Sequence, residues 1–268
     1  MILSGKGCVS RGCARYSAHM QNISAQALLL AAGRGERMRP LTDHVPKPLL
    51  EVQGKPLLQW HLEALQRAGV QSVVINTAWL EEQFAHNPGP LFEAPPLPPV
   101  AIRYSLEGRD FGGALETAGG IVRALPQLAP VFWVAAGDVY APEFAFSADD
   151  LARFAAAPAL AHIWLVPNPA HNLRGDFGLS DTGMALNLAA GDSAPRFTFS
   201  TIALYKQAFF AGCGIAPGNP DGTKAPLAPL LRRGMDNGHV TATLYAGTWV
   251  DVGTPARLAE LNSGDPPV

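Results

Sequence analysis

The chain has 268 residues, 48% hydrophobic and 16% charged, with a formal net charge of −2. That length fills one large α/β domain or two small ones, and the composition is ordinary for a chain that forms a packed core. No window approaches the roughly 18 uninterrupted apolar residues of a membrane span, and the near-neutral charge excludes a general nucleic-acid surface, so small ligands are expected.

Three cysteines, Cys8, Cys13 and Cys213, form no CxxC pair. An odd count without metal-ligand spacing fits a reducing compartment and predicts a cytoplasmic protein without a disulfide framework or a zinc site. Residues 1–26 carry Lys6, Arg11 and Arg15 and no acid, which leaves 17 basic and 22 acidic residues in the remainder. This head lacks the apolar core of a signal peptide. It reads as an N-terminal extension, either disordered or upstream of a start at Met20, ahead of a single domain over 27–268.

From Ala27 short apolar runs alternate with amphipathic stretches, the rhythm of βα units around a largely parallel sheet. Ala27–Ala32 is the first predicted strand. A helix follows over Pro56–Ala68, with Leu58, Leu62 and Leu65 on one face and Gly69 as its stop. Strands are expected at Val73–Asn76, Val100–Ser105 and Val131–Ala136, with a short helix near Glu81–Phe84, a proline-rich loop over His86–Pro99 and a helix over about Thr117–Leu125. Beyond Asp149 the expected strands are His162–Val166, Phe177–Leu179, Arg196–Tyr205 and Val240–Tyr245, and the helices Leu227–Met235 and Pro255–Leu261. The fold class is therefore α/β: a doubly wound, mostly parallel central sheet, Rossmann-like, with a small ligand-binding layer supplied by the second half. Trp60, Trp79, Trp133, Trp164 and Trp249 all lie in apolar runs and are expected in the core.

The stretch "GRGERMR", Gly33 to Arg39, follows the first strand at once, where an α/β sheet presents backbone N–H groups to anions. It is not the dinucleotide fingerprint, because Met38 stands where the third glycine belongs, and no GK[ST] makes it a Walker loop. Three arginines, Arg34, Arg37 and Arg39, offer at least one bidentate phosphate contact, and Lys47 is fixed between Pro46 and Pro48. Asp138 ends the run "VFWVAAGD" and Asp251 lies in "TWVDVGTP". Each terminates an apolar run, so both would sit at the carboxyl edge if those runs belong to one sheet.

Together, "GRGERMRPLT" and "PKPLL" resemble the signature of the sugar-1-phosphate nucleotidylyltransferases, which join an NTP to a sugar phosphate and release pyrophosphate. The likeness spans roughly Ala27 to Leu261. It implies that Ala31, Ala32, Gly33, Gly35, Arg37, Asn76, Glu116, Thr117 and Gly119 bind the nucleotide. Arg37 and Lys47 would be catalytic, Asp138 and Asp251 would hold Mg²⁺, and Gly175, Asp176, Phe177 and Thr201 would face the sugar. The implied partners are an NTP and a sugar-1-phosphate, with no nucleic acid or membrane, and a monomer or weak homo-oligomer.

Within the family, "LETAGG", "PNPAHNLRGDFGL" and "FTFSTIALY" imply UTP as nucleotide and N-acetylmuramate-1-phosphate as acceptor, a reaction of cell-wall sugar recycling. GTP with mannose-1-phosphate, or UTP or dTTP with glucose-1-phosphate, are the neighbouring chemistries, and a non-catalytic sugar-nucleotide sensor is the alternative from another class. Two departures bear on the acceptor: Ala118 and Thr201 stand where this branch usually has glycine. The "GRDFGG" stretch before Ala114 is also longer than expected.

Overall fold

A computed structural model of the chain describes residues 25–263. The expectations for the head, including a start at Met20 and the state of Cys8 and Cys13, fall on residues 1–24 and lie outside the described residues. Strand β1 (Gln26–Leu30) begins one residue before the expected domain boundary. With β2 (Ser72–Thr77), β3 (Val100–Leu106) and β4 (Val131–Ala136) it forms a parallel block in the order β3–β2–β1–β4.

The second half extends the same sheet. β5 (Ala161–Val166), β6 (Phe177–Leu179), β7 (Arg196–Lys206) and β8 (Val240–Leu244) follow in chain order. β7 is the hinge between the halves, since it runs antiparallel to β4 on one edge, to β5 on the other, and to β6 near its start. β8 returns parallel to β5. The register of β7 against β5 shifts between Phe199 and Ala203, a bulge that turns the intervening residues toward the carboxyl edge of β4.

Period-2 alternation sorts the strand residues between two cores. Leu29, Val73, Ile75 and Trp133 pack on one face against Leu58, Leu62 and Leu65 of α1 (Leu57–Arg67). Leu28, Val74, Phe132 and Val134 pack on the other, which also receives Ile121 and Val122. Every fully buried leucine in these layers contributes about 1.5–3 kcal/mol relative to exposure. α1 ends as its sequence requires: Gly69 takes φ 77°, and the Val70 N–H reaches the Leu65 carbonyl at 3.0 Å, closing the last turn.

Two helices were not expected. The "EGRDFGG" stretch forms α2 (Glu107–Phe111), which ends at Gly112, and it precedes α3 (Glu116–Ala124). α4 (Ala148–Ala156) starts at Ser147, whose hydroxyl accepts from the Asp150 N–H, with Asp149 and Asp150 in its first turn. α5 (Ala228–Asp236) covers the second core with Leu231 and Met235. α6 (Pro255–Ser263) buries Leu258 and Leu261 in a third, smaller cluster with Met38, Leu57 and Tyr140. No helix of the described residues is long and apolar enough to cross a membrane.

Of the five tryptophans, Trp133 and Trp164 are buried as expected, and Trp60 and Trp249 pack at cluster margins. Trp79 departs from the expectation. Its ring lies under the Arg34 guanidinium at 3.6 Å, and its indole N–H donates to the Thr42 carbonyl.

Candidate active site

A cleft of about 890 Å³ opens at the carboxyl ends of β1 and β4. Its floor is Leu30–Gly33, Val134 and Ala136; one wall is the glycine loop with Lys47, and the other is Asp176, Phe177, Phe199, Thr201 and α5. This is the edge where an open α/β sheet receives its ligand.

The glycine loop is shaped by Gly35, which has φ 68° and whose added Cβ would stand 3.0 Å from Thr42 Cγ2 and 3.2 Å from Lys47 Cβ. Only glycine fits both the backbone conformation and the space. The three arginines divide their work. Arg34 donates to the Thr42 carbonyl and to Asp43 at 2.8 Å, and Arg39 reaches the same carboxylate at 2.8 Å. The Arg34 hydrogen bond holds the Asp43 carboxyl below its ordinary range. Both arginines thus brace the loop. Arg37 has no ion-pair partner among the described residues and lines the cleft.

Lys47 is 7% exposed. Its Nζ donates to Asp138 Oδ2 at 2.6 Å and lies 3.6 Å from Asp251 Oδ1. A buried ammonium is tolerated only with such company. The condition that the runs ending in Asp138 and Asp251 belong to one sheet is not met. Val139–Tyr140 pairs with Val250–Asp251 in a separate two-stranded ribbon, with Asp251 opposite Val139, and that pairing sets the two acids side by side. His61, buried beneath, donates from Nε2 to the Val139 carbonyl at 2.9 Å, and burial lowers its pKa.

The outer oxygen of Asp251 faces His171 Nε2 and Arg257 Nη1, each at 3.6 Å. A Cβ at Gly253 would come within 3.0 Å of Asp251 Oδ2, 3.2 Å of Arg257 Nη1 and 3.5 Å of Arg37 Nη1, so these groups converge on one backbone step. Asp138 and Asp251 are each partly exposed, at 34% and 22% of the side chain. Two partly exposed carboxylates, Asp138 lining the cleft and Asp251 beside it across Lys47, suit a divalent cation completed by substrate phosphates and water. No cluster of three or more acids, histidines or cysteines offers a self-sufficient metal site among the described residues.

The end of the cleft between β1 and α3 rests on a buried relay. Asn76 Oδ1 accepts from the Ala31 N–H at 2.8 Å, Asn76 Nδ2 donates to Glu107 Oε1 at 2.8 Å, and Glu107 Oε2 accepts from the Leu115 N–H at 2.8 Å. Glu107 is fully buried, and that burial raises its pKa. The relay ties the end of β1 to the turn that opens α3, where Glu116 takes φ 59° and lines the cleft with Thr117. Sequence reasoning found Asn76 but missed Glu107, which stands in a polar run with no periodicity.

Ala31, Ala32, Gly33, Gly35, Arg37, Asn76, Glu116, Thr117, Lys47, Asp138, Asp176, Phe177 and Thr201 all line the cleft. Three expected residues do not: Asp251 stands behind the lining and is tied to it through Lys47, and two glycines face elsewhere. Gly119 faces the 219–225 loop, where an added Cβ would lie 2.6 Å from the Thr223 carbonyl oxygen. Gly175 has φ 62° and packs against Arg196 and Asn168, so it shapes the turn before β6 without facing the cleft. Asp176 is committed as well: its carboxylate accepts from the Phe199 N–H at 2.8 Å and from Asn172.

A phosphate loop after β1, a lysine clamped by two acids and a deep cleft at the sheet edge define a nucleotidyltransferase. The family model for the MobA-like NTP transferase domain matches residues 27–163, and the chain belongs to that family, among its sugar-1-phosphate nucleotidyltransferases. It is 43% identical over 244 residues to the N-acetylmuramate alpha-1-phosphate uridylyltransferase of Neisseria meningitidis serogroup B, covering 88% of this chain and 96% of that one. The enzyme of the same name from Caulobacter vibrioides is 34% identical over 87% of this chain and 97% of its own length. Among solved structures, the inositol-1-phosphate CTP transferase of T. maritima superposes with a TM-score of 0.64 at 17% identity, covering 91% of this chain and 96% of that one. Nucleotidyltransferases of this family generally use a divalent metal.

Proposed function

We propose that the chain transfers UMP from UTP to N-acetylmuramate-1-phosphate, giving UDP-N-acetylmuramate and pyrophosphate, with Mg²⁺ held by Asp138 and Asp251. The observation that carries the reading is the Lys47 clamp: one buried ammonium touching both acids at the mouth of a cleft lined by the glycine loop. Identity at 43% along nearly the whole of the meningococcal relative supports the choice of base and sugar.

An oxygen of the acceptor phosphate attacks the α-phosphorus, and the bond to the β-phosphate oxygen breaks, so that pyrophosphate leaves with the electron pair. No protein nucleophile is needed; positioning and charge neutralisation supply the rate. The loop N–H groups near Gly33 and Gly35, with Arg37, hold the triphosphate. Lys47 steadies the α-phosphate against the acceptor phosphate. Bound Mg²⁺ would neutralise charge on the two reacting phosphates. Phe177, Phe199 and Thr201 form the acceptor wall.

The test is pyrophosphate release with Mg²⁺, using UTP, GTP, dTTP, CTP and ATP against the 1-phosphates of N-acetylmuramate, N-acetylglucosamine, glucose and mannose. Turnover highest for UTP with N-acetylmuramate-1-phosphate is expected. A different best pair overturns the substrate assignment, and binding without turnover by any pair returns the sensor reading.

A further inference from the structure

The acceptor wall carries a cation that the mechanism does not use. Arg232, at the middle of α5, is half-buried and lines the cleft. Its guanidinium lies 5.1 Å from the centre of the Phe177 ring, and Nη1 donates to Asn187 Oδ1 at 2.8 Å. Asn187 is held in turn by Asp236, to which its amide nitrogen donates at 3.0 Å and 3.1 Å. No carboxylate approaches Arg232 within 4 Å among the described residues, and the nearby Asp176 is committed to Phe199 and Asn172. The guanidinium is therefore oriented from one side by an amide and stacked on a ring, with donors left over and no anion of its own. Such a group is built to receive one.

Position along α5 says which part of the ligand it meets. The segment entering that helix is bonded to the α3 turn, through Ala225 N–H to the Leu115 carbonyl and Ala118 N–H to the Ala225 carbonyl, so it flanks the nucleotide end. Arg232 lies more than one turn further on, against Phe177 of the acceptor wall. The phosphates already have Arg37, Lys47 and the glycine loop. N-acetylmuramate differs from N-acetylglucosamine by an ether-linked lactyl group, which adds one carboxylate to the sugar ring.

We propose that Arg232 is the specificity-determining residue that pairs with the lactyl carboxylate of the acceptor, with Asn187 and Phe177 as its positioning residues. The proposal rests on the N-acetylmuramate reading above. Losing a charge-assisted pair is expected to raise KM for the acceptor by about 10- to 100-fold.

The experiment compares steady-state kinetics of the wild type, Arg232→Gln and Arg232→Lys with N-acetylmuramate-1-phosphate and with N-acetylglucosamine-1-phosphate, which lacks the carboxylate. The expected result is a raised KM for the first acceptor in Arg232→Gln, partial recovery in Arg232→Lys, little change in kcat, and unchanged constants for the second acceptor. Activity with the second acceptor shows that each variant is folded. If Arg232→Gln keeps the wild-type preference, or loses both acceptors in parallel while circular dichroism stays native, Arg232 does not read the carboxylate. If the wild type itself shows no preference for N-acetylmuramate-1-phosphate, the underlying substrate reading fails, an outcome distinct from the first two.

Discussion

Thr201 offers a sharp test of how backbone strain and acceptor space are linked. It sits in the β7 bulge with φ 65°, the left-handed region, and lines the cleft. A residue carrying a Cβ costs about 1–2 kcal/mol there, and a β-branched one is at the upper end. Replacing Thr201 by glycine removes that cost and adds about 0.5–1 kcal/mol of unfolded-chain entropy, along with loss of the Thr201 hydroxyl bond to the Ser200 carbonyl. The net expectation for Thr201→Gly is a gain of about 0.5–1 kcal/mol, or roughly 1–4 °C in Tm for a domain of this size. Thr201→Ala is the internal control, because it removes the hydroxyl and one methyl yet keeps the Cβ. Thermal unfolding followed by circular dichroism should rank glycine above threonine, with alanine no better than threonine. If alanine matches glycine, side-chain bulk and not backbone conformation sets the strain; if glycine lowers Tm, the strain argument is wrong.

Three further outcomes follow from the site and its surroundings. Lys47→Met should cut kcat by about 10²–10³ with the fold retained, as expected for loss of one preorganised charge at the reacting phosphates; near-normal turnover would remove Lys47 from the chemistry. Asp138→Asn should abolish turnover while UTP still protects the protein against thermal unfolding, and a fully active variant would unseat Asp138 as a metal ligand. Stability should fall in acid because burial lowers His162 from 6.5 to about 4. Between those values the unfolded chain binds a proton that the native ring refuses, so the stability present above pH 6.5 is lost toward pH 4, by about 3 kcal/mol at most. Chemical denaturation across that range should show a shallower pH slope for His162→Gln, and an unchanged slope would reassign the titration.

The parts legible in the sequence were those encoded locally. The apolar run ending at Leu30, the glycine loop, the Lys47 prolines and the Leu58–Leu62–Leu65 stripe each declare themselves within a dozen residues. α4 was legible too: Ser147 followed by Asp149 and Asp150 is a helix start, overlooked because its buried stripe is only Leu151 and Phe154. Glu107 gave no local sign, since its role arises from Asn76 and Leu115, which only the folded sheet brings to it. Arg34 and Arg37 are two kinds of arginine with one kind of sequence neighbourhood; only the placement of Asp43 and Trp79 tells the brace from the arginine that lines the cleft unpaired. The bulge in β7 was invisible as well, although the unexpected Thr201 marked its position.

The ribbon that joins Val139–Tyr140 to Val250–Asp251 gives the reaction centre a late assembly date. The glycine loop, Lys47 and the ends of β1 and β4 all lie inside the 27–163 segment that the family model matches, whereas the second acid arrives from close to the last described helix. A growing chain can therefore complete β1 to β4 and the glycine loop long before Lys47 has both of its carboxylates. On the function proposed above, turnover requires residue 251 to dock, and its onset during refolding is expected to report the pairing of Val139–Tyr140 with Val250–Asp251.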